Sequence, residues 1–214
     1  MDEPIPLVRP AEFPDAAPEE GASVWGVLLA AGTSSRYGDR NKLLERFDGE
    51  PLVRRAAESL AAAPLDGVVA VVGHQSSAVR DAVDGVVSDV CANEEYERGQ
   101  SMSVRTGVEA VRDHGADAVV VALGDMPTVR PATVGLLVDA YERGVGTALA
   151  AAYEGRRGNP VLFDARHFDA LAAVDGDVGG RGVLLASAGG ALVATDDPGV
   201  VRDVDAPSDL DALE

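Results

Sequence analysis

The chain has 214 residues with 36 acidic and 18 basic side chains, and its formal net charge of −18 argues against binding nucleic acid or an anionic membrane. No apolar run approaches the roughly 20 residues of a membrane span, and the acidic N-terminus lacks a secretion-signal pattern, so we expect a cytoplasmic protein. The acidic excess also fits an acidic, halophile-like surface suited to concentrated salt, with ordinary acidity as the alternative.

The N-terminal 22 residues differ in character from the rest of the chain. Five prolines and scattered acids leave residues 1–22 without helical or strand periodicity, which predicts a flexible tail. Residues 23–214 are predicted to form a single domain, because no internal repeat or long linker interrupts them. Its first predicted element is the buried strand 24–30, followed by a helix that Pro51 opens and a second strand at 68–72.

Short apolar runs and amphipathic helices continue to alternate along the rest of the domain. Val104, Val108 and Val111 recur at helical spacing, the run 118–123 reads as another buried strand, and Pro131 begins a further helix. This alternation predicts an α/β fold, a three-layer αβα sandwich around a Rossmann-like, mostly parallel sheet. Ligands of such a sheet are expected at the carboxyl ends of its strands.

The segment that follows the first strand has the residue types of a phosphate-binding loop. Small residues at 30–32 let backbone N–H groups approach a ligand, and hydroxyl groups at 33–35 add hydrogen-bond donors. Arg36 and Lys42 supply positive charge, and Lys42 is the only lysine of the chain. The segment matches neither the P-loop nor the dinucleotide-binding glycine pattern. The alternative is a solvated glycine turn, which does not account for the clustered cations.

Two acidic residues far apart in the chain are candidates for a metal site. Asp125 follows the predicted strand 118–123, and a carboxylate at the tip of a buried parallel strand faces the ligand crevice, where it can hold Mg²⁺. Asp205 ends a short extended segment before a helix and would complete the site if it met Asp125. The alternatives are a turn residue at Asp125 and a helix-entry residue at Asp205.

Together these motifs resemble the MobA-like NTP-transferase family, and within it the molybdenum cofactor cytidylyltransferase branch. The resemblance runs from about residue 24 to residue 213, and the chain departs from that branch in the spacing of Gly38 and Lys42 and at Ala206, where threonine is commoner. Six ordered segments carry it: 29–38 with Lys42; Asn93 with Gly99 and Ser103; 124–127; 158–161; Gly176 and Asp177 with Gly179 and Arg181; and 203–210. The implied fold is of the nucleotide-diphospho-sugar transferase type.

The resemblance also implies roles for individual residues. Catalysis would depend on Arg36, Lys42 and Asp125, and Asp125 and Asp205 would coordinate Mg²⁺. The nucleoside triphosphate would be bound by Leu29, Ala30, Ala31, Gly32, Ser34, Arg36, Lys42, Asn93, Gly99, Ser103 and Asp125. The segments that in the family face the acceptor, a phosphorylated pterin, contain Asn159, Pro160, Asp177 and Arg181.

The reaction implied by the resemblance is transfer of CMP from CTP to the phosphate of molybdopterin, with release of pyrophosphate. Such a reaction needs positioned anions and stabilised charge rather than a protein nucleophile. A guanylyltransferase and transfer to another phosphorylated small molecule are alternatives within the same class. Two candidates from outside this class are a nicotine-blue-type oxidoreductase and a non-catalytic accessory protein that partners a molybdenum hydroxylase. The lack of a dinucleotide fingerprint argues against the oxidoreductase, and Lys42 with Asp125 and Asp205 favours catalysis.

Overall fold

The computed structural model describes residues 5–15, 21–34, 37, 40–176 and 179–212. Its main sheet contains eight strands: β1 Leu7–Val8, β2 Val24–Ala30, β5 Gly67–Val72, β6 Asp89–Ala92, β7 Ala118–Leu123, β8 Ala148–Tyr153, β9 Arg156–Asp164 and β10 Gly190–Thr195. A short hairpin joins β3 Arg46–Phe47 to β4 Glu50–Pro51. The helices are α1 Leu52–Ala61, α2 Ser76–Val83, α3 Gln100–Asp113, α4 Pro131–Glu142, α5 Phe168–Ala172, α6 Arg181–Ala186 and α7 Pro207–Asp211.

The strand order in the sheet is β1-β10-β8-β9-β7-β2-β5-β6. Neighbouring strands run parallel except around β9, which is antiparallel to both β7 and β8. In the centre of the sheet Leu29 pairs with Leu123 of β7, and Ala30 pairs with Val72 of β5. The carboxyl ends of these three strands therefore lie side by side, which brings the loops that follow them into one region.

Helices cover both faces of the sheet, and the strands contribute alternate residues to two apolar cores. Leu28 and Ala30 of β2 belong to the core that α1, α2 and α4 cover, whereas Val27 and Leu29 belong to the core under α3, α5 and α6. This alternation is the period of two that a strand imposes on its side chains. The predicted three-layer α/β sandwich is confirmed. No helix in the described part of the chain combines the length and the apolar character needed to cross a membrane.

The segment predicted to be a flexible tail differs from that expectation over part of its length. Leu7 and Val8 pair in parallel with Leu192 and Val193 of β10, and the carbonyl of Pro6 accepts a hydrogen bond from the Leu192 N–H at 2.8 Å. Prolines are tolerated here because β1 is an edge strand, where one side of the backbone needs no ladder partner. The pairing depends on the exposed edge of β10, which local periodicity does not reveal.

Candidate active site

The loop after β2 is tied by side-chain hydrogen bonds to the turn that carries Lys42. Ser34 lies in the left-handed backbone region with φ of 54°, and its hydroxyl accepts a hydrogen bond from the Lys42 N–H at 3.1 Å. The same hydroxyl donates to Asn41 Oδ1 at 3.3 Å, and that oxygen also accepts from the Leu43 N–H at 3.1 Å. Asn41 is buried and caps the 3-10 turn Lys42–Leu44. These contacts fix the backbone from which the Lys42 side chain extends.

Lys42 brings together the two carboxylates that the sequence placed eighty positions apart. Its ammonium group donates to Asp125 Oδ2 at 2.6 Å and to Asp205 Oδ1 at 3.0 Å. The side chain of Lys42 is 15% exposed and that of Asp125 17%, whereas Asp205 is 41% exposed. The site is therefore a partly desolvated cluster with one cation and two anions, in which charge–charge interactions are weakly screened.

Backbone contacts set the position of Asp125 and Asp205. The Gly124 N–H donates to the carbonyl of Leu29 at 3.0 Å, and a Cβ at Gly124 would lie 3.2 Å from that same oxygen. The absence of a side chain at Gly124 thus lets the end of β7 approach the end of β2. The Val204 N–H donates to the carbonyl of Asp125 at 3.0 Å, so the residue before Asp205 is joined directly to Asp125.

Burial and charge act in opposite directions on the pKa values of the pair. Burial lowers the pKa of the Lys42 ammonium group, but the charge and hydrogen bonds of Asp125 and Asp205 outweigh it, so the net shift is upward. Burial raises the pKa of Asp125, and the neighbouring Lys42 offsets only part of this rise. Lys42 therefore stays protonated at neutral pH. Without the lysine, Asp125 would be a buried acid that has no neighbouring cation to compensate its charge.

The donor set of the cluster fits a hard divalent cation. Asp125 Oδ1 is buried and has no hydrogen-bond partner among the described residues, although its other oxygen binds Lys42. Such an atom is a free ligand for Mg²⁺ or Mn²⁺, both of which prefer carboxylate oxygens. Over the described part of the chain no three His, Cys, Asp or Glu residues are grouped to hold a metal. A cation at Asp125 and Asp205 would therefore take further oxygens from substrate phosphates and water.

A cavity of about 460 Å³ opens beside this cluster and contains most of the residues predicted to bind nucleotide. Its lining includes Leu29, Ala31, Gly32, Ser34, Lys42, Gly99, Ser103, Asp125 and Asp205. The structure thus brings together five sequence segments: the end of β2 with the loop after it, the turn that carries Lys42, the start of α3, the loop after β7 and the segment of Asp205. This is the edge of the sheet at which the fold class places a ligand.

Two of the predicted nucleotide-binding residues that the structure describes do not line this cavity. Ala30 is buried in β2 and is 1% exposed, with its side chain in the core under α1. Asn93 is also buried, and its amide donates to the Ser103 hydroxyl at 3.0 Å, so it supports a residue of the cavity wall instead of lining the cavity. Arg36 lies outside the described residues.

A second cavity, of about 470 Å³, adjoins the first and contains part of the predicted acceptor site. The two cavities share Leu29, Gln100 and Leu123, and Asn159 and Arg181 line the second one. Pro160 points away from it, into a small space between α1 and α4. Asp177 lies outside the described residues.

The second cavity also contains residues that the sequence interpretation missed. Arg157, Asn159, Val161 and Phe163 line it as alternate residues of β9. Reading 156–164 as a strand would have placed Arg157 and Phe163 on the same face as Asn159, because strand side chains repeat every second residue. In the first cavity the missed residues are Leu43, Tyr96, Glu97, Gln100 and Leu123.

Arg157 is the cationic member of that face. Burial lowers the pKa of its guanidinium group, and the positive charge of Arg181 lowers it further. Two guanidinium groups that repel each other across a cavity provide a favourable site for an anion.

Comparisons with known proteins identify the family and the fold of this chain. A family model described as the MobA-like NTP transferase domain matches residues 26–191. The chain is 34% identical over 166 residues to the nicotine blue oxidoreductase of Paenarthrobacter nicotinovorans, which covers 74% of this chain and 79% of that protein. The matched family range contains Lys42 and Asp125 and ends before Asp205.

Solved structures with the same fold are similar over nearly the whole chain. That of Rv0371c from Mycobacterium tuberculosis H37Rv has a TM-score of 0.78 and 29% identity, over 90% of this chain and 98% of that one. A manganese complex of the same protein has a TM-score of 0.76 and 27% identity, with coverage of 90% and 98%. A nucleotidyl transferase from Methanothermobacter thermautotroptrophicus has a TM-score of 0.76 and 25% identity, with coverage of 90% and 96%.

Proposed function

The chain belongs to the MobA-like NTP transferase family and is a nucleotidyltransferase, and on this premise we propose that it transfers CMP from CTP to the phosphate of molybdopterin. The single observation that carries the proposal is the Lys42 bridge between Asp125 and Asp205 beside two adjoining cavities. One cavity is suited to a nucleoside triphosphate, and the other to a second anionic substrate. We place this activity in the cytoplasm.

The acceptor cavity supports a substrate with both an anionic and an apolar part. Arg157 and Arg181 face the same space as Phe163, Val104 and Leu184. A phosphate group would be held between the guanidinium groups, and a planar ring system would pack on the apolar wall. A phosphorylated pterin combines these two features in one small molecule.

The chemistry proposed for the site is an in-line displacement at the α-phosphorus. An oxygen of the acceptor phosphate forms the new bond to the α-phosphorus, while the bond from that phosphorus to the oxygen bridging it to the β-phosphate breaks. Pyrophosphate leaves with the electron pair, so no protein nucleophile is required. Lys42 would stabilise the charge that spreads over the phosphate oxygens, and the backbone N–H groups after β2 would orient the triphosphate.

We further propose Mg²⁺ as the cation held by Asp125 and Asp205. When bound, such a cation neutralises phosphate charge and favours departure of pyrophosphate. Asp125 Oδ1 is the protein atom best suited to hold it, because it is buried and not engaged by Lys42. The manganese complex of the similar mycobacterial protein supports a divalent cation in this fold.

The test is to incubate the purified protein with each ribonucleoside triphosphate in turn, together with Mg²⁺ and molybdopterin, and to measure pyrophosphate release. We expect release with CTP and none without Mg²⁺. The Asp125→Asn protein should release no pyrophosphate, whereas Asp169→Asn, a change at an exposed acid that lines neither cavity, should behave like wild type. Release with GTP in place of CTP would favour a guanylyltransferase. Release with a sugar phosphate as acceptor would contradict the pterin.

The similarity to a nicotine blue oxidoreductase favours a second candidate, an oxidoreductase of that type. This activity needs a nicotinamide or flavin site, and the segment after β2 lacks the dinucleotide glycine pattern. Mixing the protein with nicotine blue and a reduced nicotinamide cofactor tests it directly. Bleaching of the dye that persists in Asp125→Asn, without any pyrophosphate release in the first assay, would replace the transferase by the oxidoreductase.

A further inference from the structure

Two loops carry the two carboxylates of the site, and they are docked against each other along their length. The first loop runs from Asp125 to α4, and the second from β10 to Asp205. At the end near the active site the Val204 N–H donates to the Asp125 carbonyl at 3.0 Å. In the middle Gly199 lies against the backbone of Thr128, where a Cβ would come within 2.4 Å of the Thr128 carbonyl oxygen.

The far end of this contact is held by a buried carboxylate that the proposed chemistry does not use. Asp197 is 1% exposed. Its Oδ2 accepts hydrogen bonds from the Arg130 N–H at 2.8 Å and from the Thr133 hydroxyl at 2.7 Å. Its Oδ1 accepts from the Gly199 N–H at 2.9 Å and lies 3.4 Å from Arg130 Nε. One carboxylate thus joins the loop after Asp125 to the segment before Asp205.

We propose that Asp197 is a positioning residue that sets the separation of Asp125 and Asp205 and so the affinity of the site for a divalent cation. The proposal rests on the metal role of those two residues given above. The Asp197 side chain accepts hydrogen bonds from the backbone of both loops, from the Arg130 N–H in the first and from the Gly199 N–H in the second. Loss of its acceptor oxygens would leave buried N–H groups unsatisfied and release the two loops from each other.

A positioning role of this kind affects cation binding in addition to stability. A cation held by only two protein carboxylates depends on both oxygens lying at bonding distance, so a small displacement of one loop removes a ligand. Neither carboxylate is touched by Asp197 directly. The effect therefore has to pass through the backbone of residues 125–130 and 199–205.

The experiment measures Mn²⁺ binding by electron paramagnetic resonance, with CTP present and acceptor absent, at a temperature well below the unfolding midpoint of every variant. We expect Asp197→Asn to raise the Mn²⁺ concentration at half-saturation by about tenfold, because an amide nitrogen then faces the Arg130 N–H or the Gly199 N–H. The matched control is Asp196→Asn. It removes the same charge from the neighbouring residue, which is 93% exposed and also pairs with Arg130, and it should bind Mn²⁺ like wild type.

A second variant covers the outcome in which Asp197→Asn does not fold. Thr133→Val keeps the Asp197 carboxylate but removes one of its donors, and we expect a smaller shift in the same direction. Wild-type Mn²⁺ binding in a folded Asp197→Asn protein overturns the proposal, as does wild-type binding in Thr133→Val if Asp197→Asn cannot be folded. Failure of the wild-type protein itself to bind Mn²⁺ with any nucleoside triphosphate would instead overturn the metal site of the proposed function.

Discussion

Lys42 is the side chain on which local charge at the site depends most. Two unit charges 4 Å apart interact by about 4 kcal/mol at an effective dielectric constant near 20, whereas exposed acids beyond a Debye length of about 8 Å are largely screened. The ammonium group lies 2.6 Å from Asp125 and 3.0 Å from Asp205, so it offsets the two nearest anions directly. Lys42 offsets only one of these two negative charges, so triphosphate binding by a chain with a net charge of −18 would also need the divalent cation proposed at Asp125 and Asp205.

Replacing Lys42 by alanine should slow the transfer reaction by at least about tenfold at saturating nucleotide. The reason is that transition-state charge on the phosphate oxygens loses its cation, while the two carboxylates are left facing each other. The measurement is kcat from pyrophosphate release, with the unfolding midpoint as a check on the fold. Arg105→Ala is the control, since Arg105 is an exposed cation paired with Glu109 on α3. An unchanged kcat in Lys42→Ala would remove the lysine from the mechanism.

His167 lies beside Thr147, just before the start of β8, and it makes the stability of the domain depend on pH. Its Nε2 lies 3.0 Å from the Thr147 hydroxyl, and burial lowers the pKa of the ring below its ordinary value of 6.5, against an opposing effect of Asp164. The unfolded chain then takes up this proton at higher pH than the folded one. The contribution of neutral His167 to stability is therefore full above pH 6.5 and is lost as the pH falls through the lowered folded-state value.

The His167→Gln variant should be less dependent on pH than the wild type over this range. Glutamine still has an acceptor and donors for Thr147 but does not titrate. Urea denaturation of both proteins above and below pH 6.5 gives the comparison, and the free energy of unfolding of wild type should fall more steeply on acidification. Parallel curves for the two proteins would show that His167 does not titrate differently in the folded state.

Helix α3 lies unusually close to the central strand β2, and a glycine makes this approach possible. A Cβ at Gly107 would lie 2.3 Å from Val27 Cγ1, and Val27 is a stiff β-branched residue that is fully buried. The N-terminus of this helix carries Gln100, which lines both cavities. The packing of α3 against β2 therefore positions the helix that places Gln100 in the wall of both cavities.

Gly107→Ala should destabilise the domain by about 1–3 kcal/mol, because the added methyl group overpacks the core between α3 and β2. Gly135→Ala in α4 is the matched control, since its Cβ would lie 3.4 Å from Pro64 in ordinary contact. That change should stabilise the domain by about 0.5–1 kcal/mol through helix propensity. Urea unfolding midpoints measure both effects. A stabilised Gly107→Ala protein would mean that α3 and β2 lie further apart than described.

The sequence predicts three of the eight strands of the main sheet and the layered α/β architecture, but not the remaining strands or the strand order. The runs that became β2, β5 and β7 are continuous apolar segments, which is why their burial could be read directly. The antiparallel direction of β9 could not be predicted from the sequence, because side chains alternate with the same period of two in parallel and antiparallel strands. The contact of Gly107 with Val27 likewise depends on packing between distant segments. Lys42, Asp125 and Asp205 were identified as chemical types, but only the fold shows that they meet.

The charge of the whole molecule acts differently from the charge at the site. A net charge of −18 on 214 residues destabilises the compact state by self-repulsion. Most described ion pairs join exposed side chains, such as Arg105 with Glu109 and Arg112 with Asp169, and each of these contributes little. Added salt therefore weakens the repulsion among the excess acidic side chains more than it weakens the attraction within the exposed ion pairs.

The thermal midpoint of unfolding should accordingly rise when KCl is increased from about 0.1 M to about 1 M, as the Debye length falls from about 10 Å to about 3 Å. Acidification toward pH 4 supplies the control, because protonation of carboxylates reduces the net charge and the salt effect should shrink with it. A rise of equal size at both pH values would point to general exclusion of salt from the surface. A midpoint that falls with KCl at neutral pH would mean that ion pairs, and not net repulsion, dominate the electrostatics of this acidic domain.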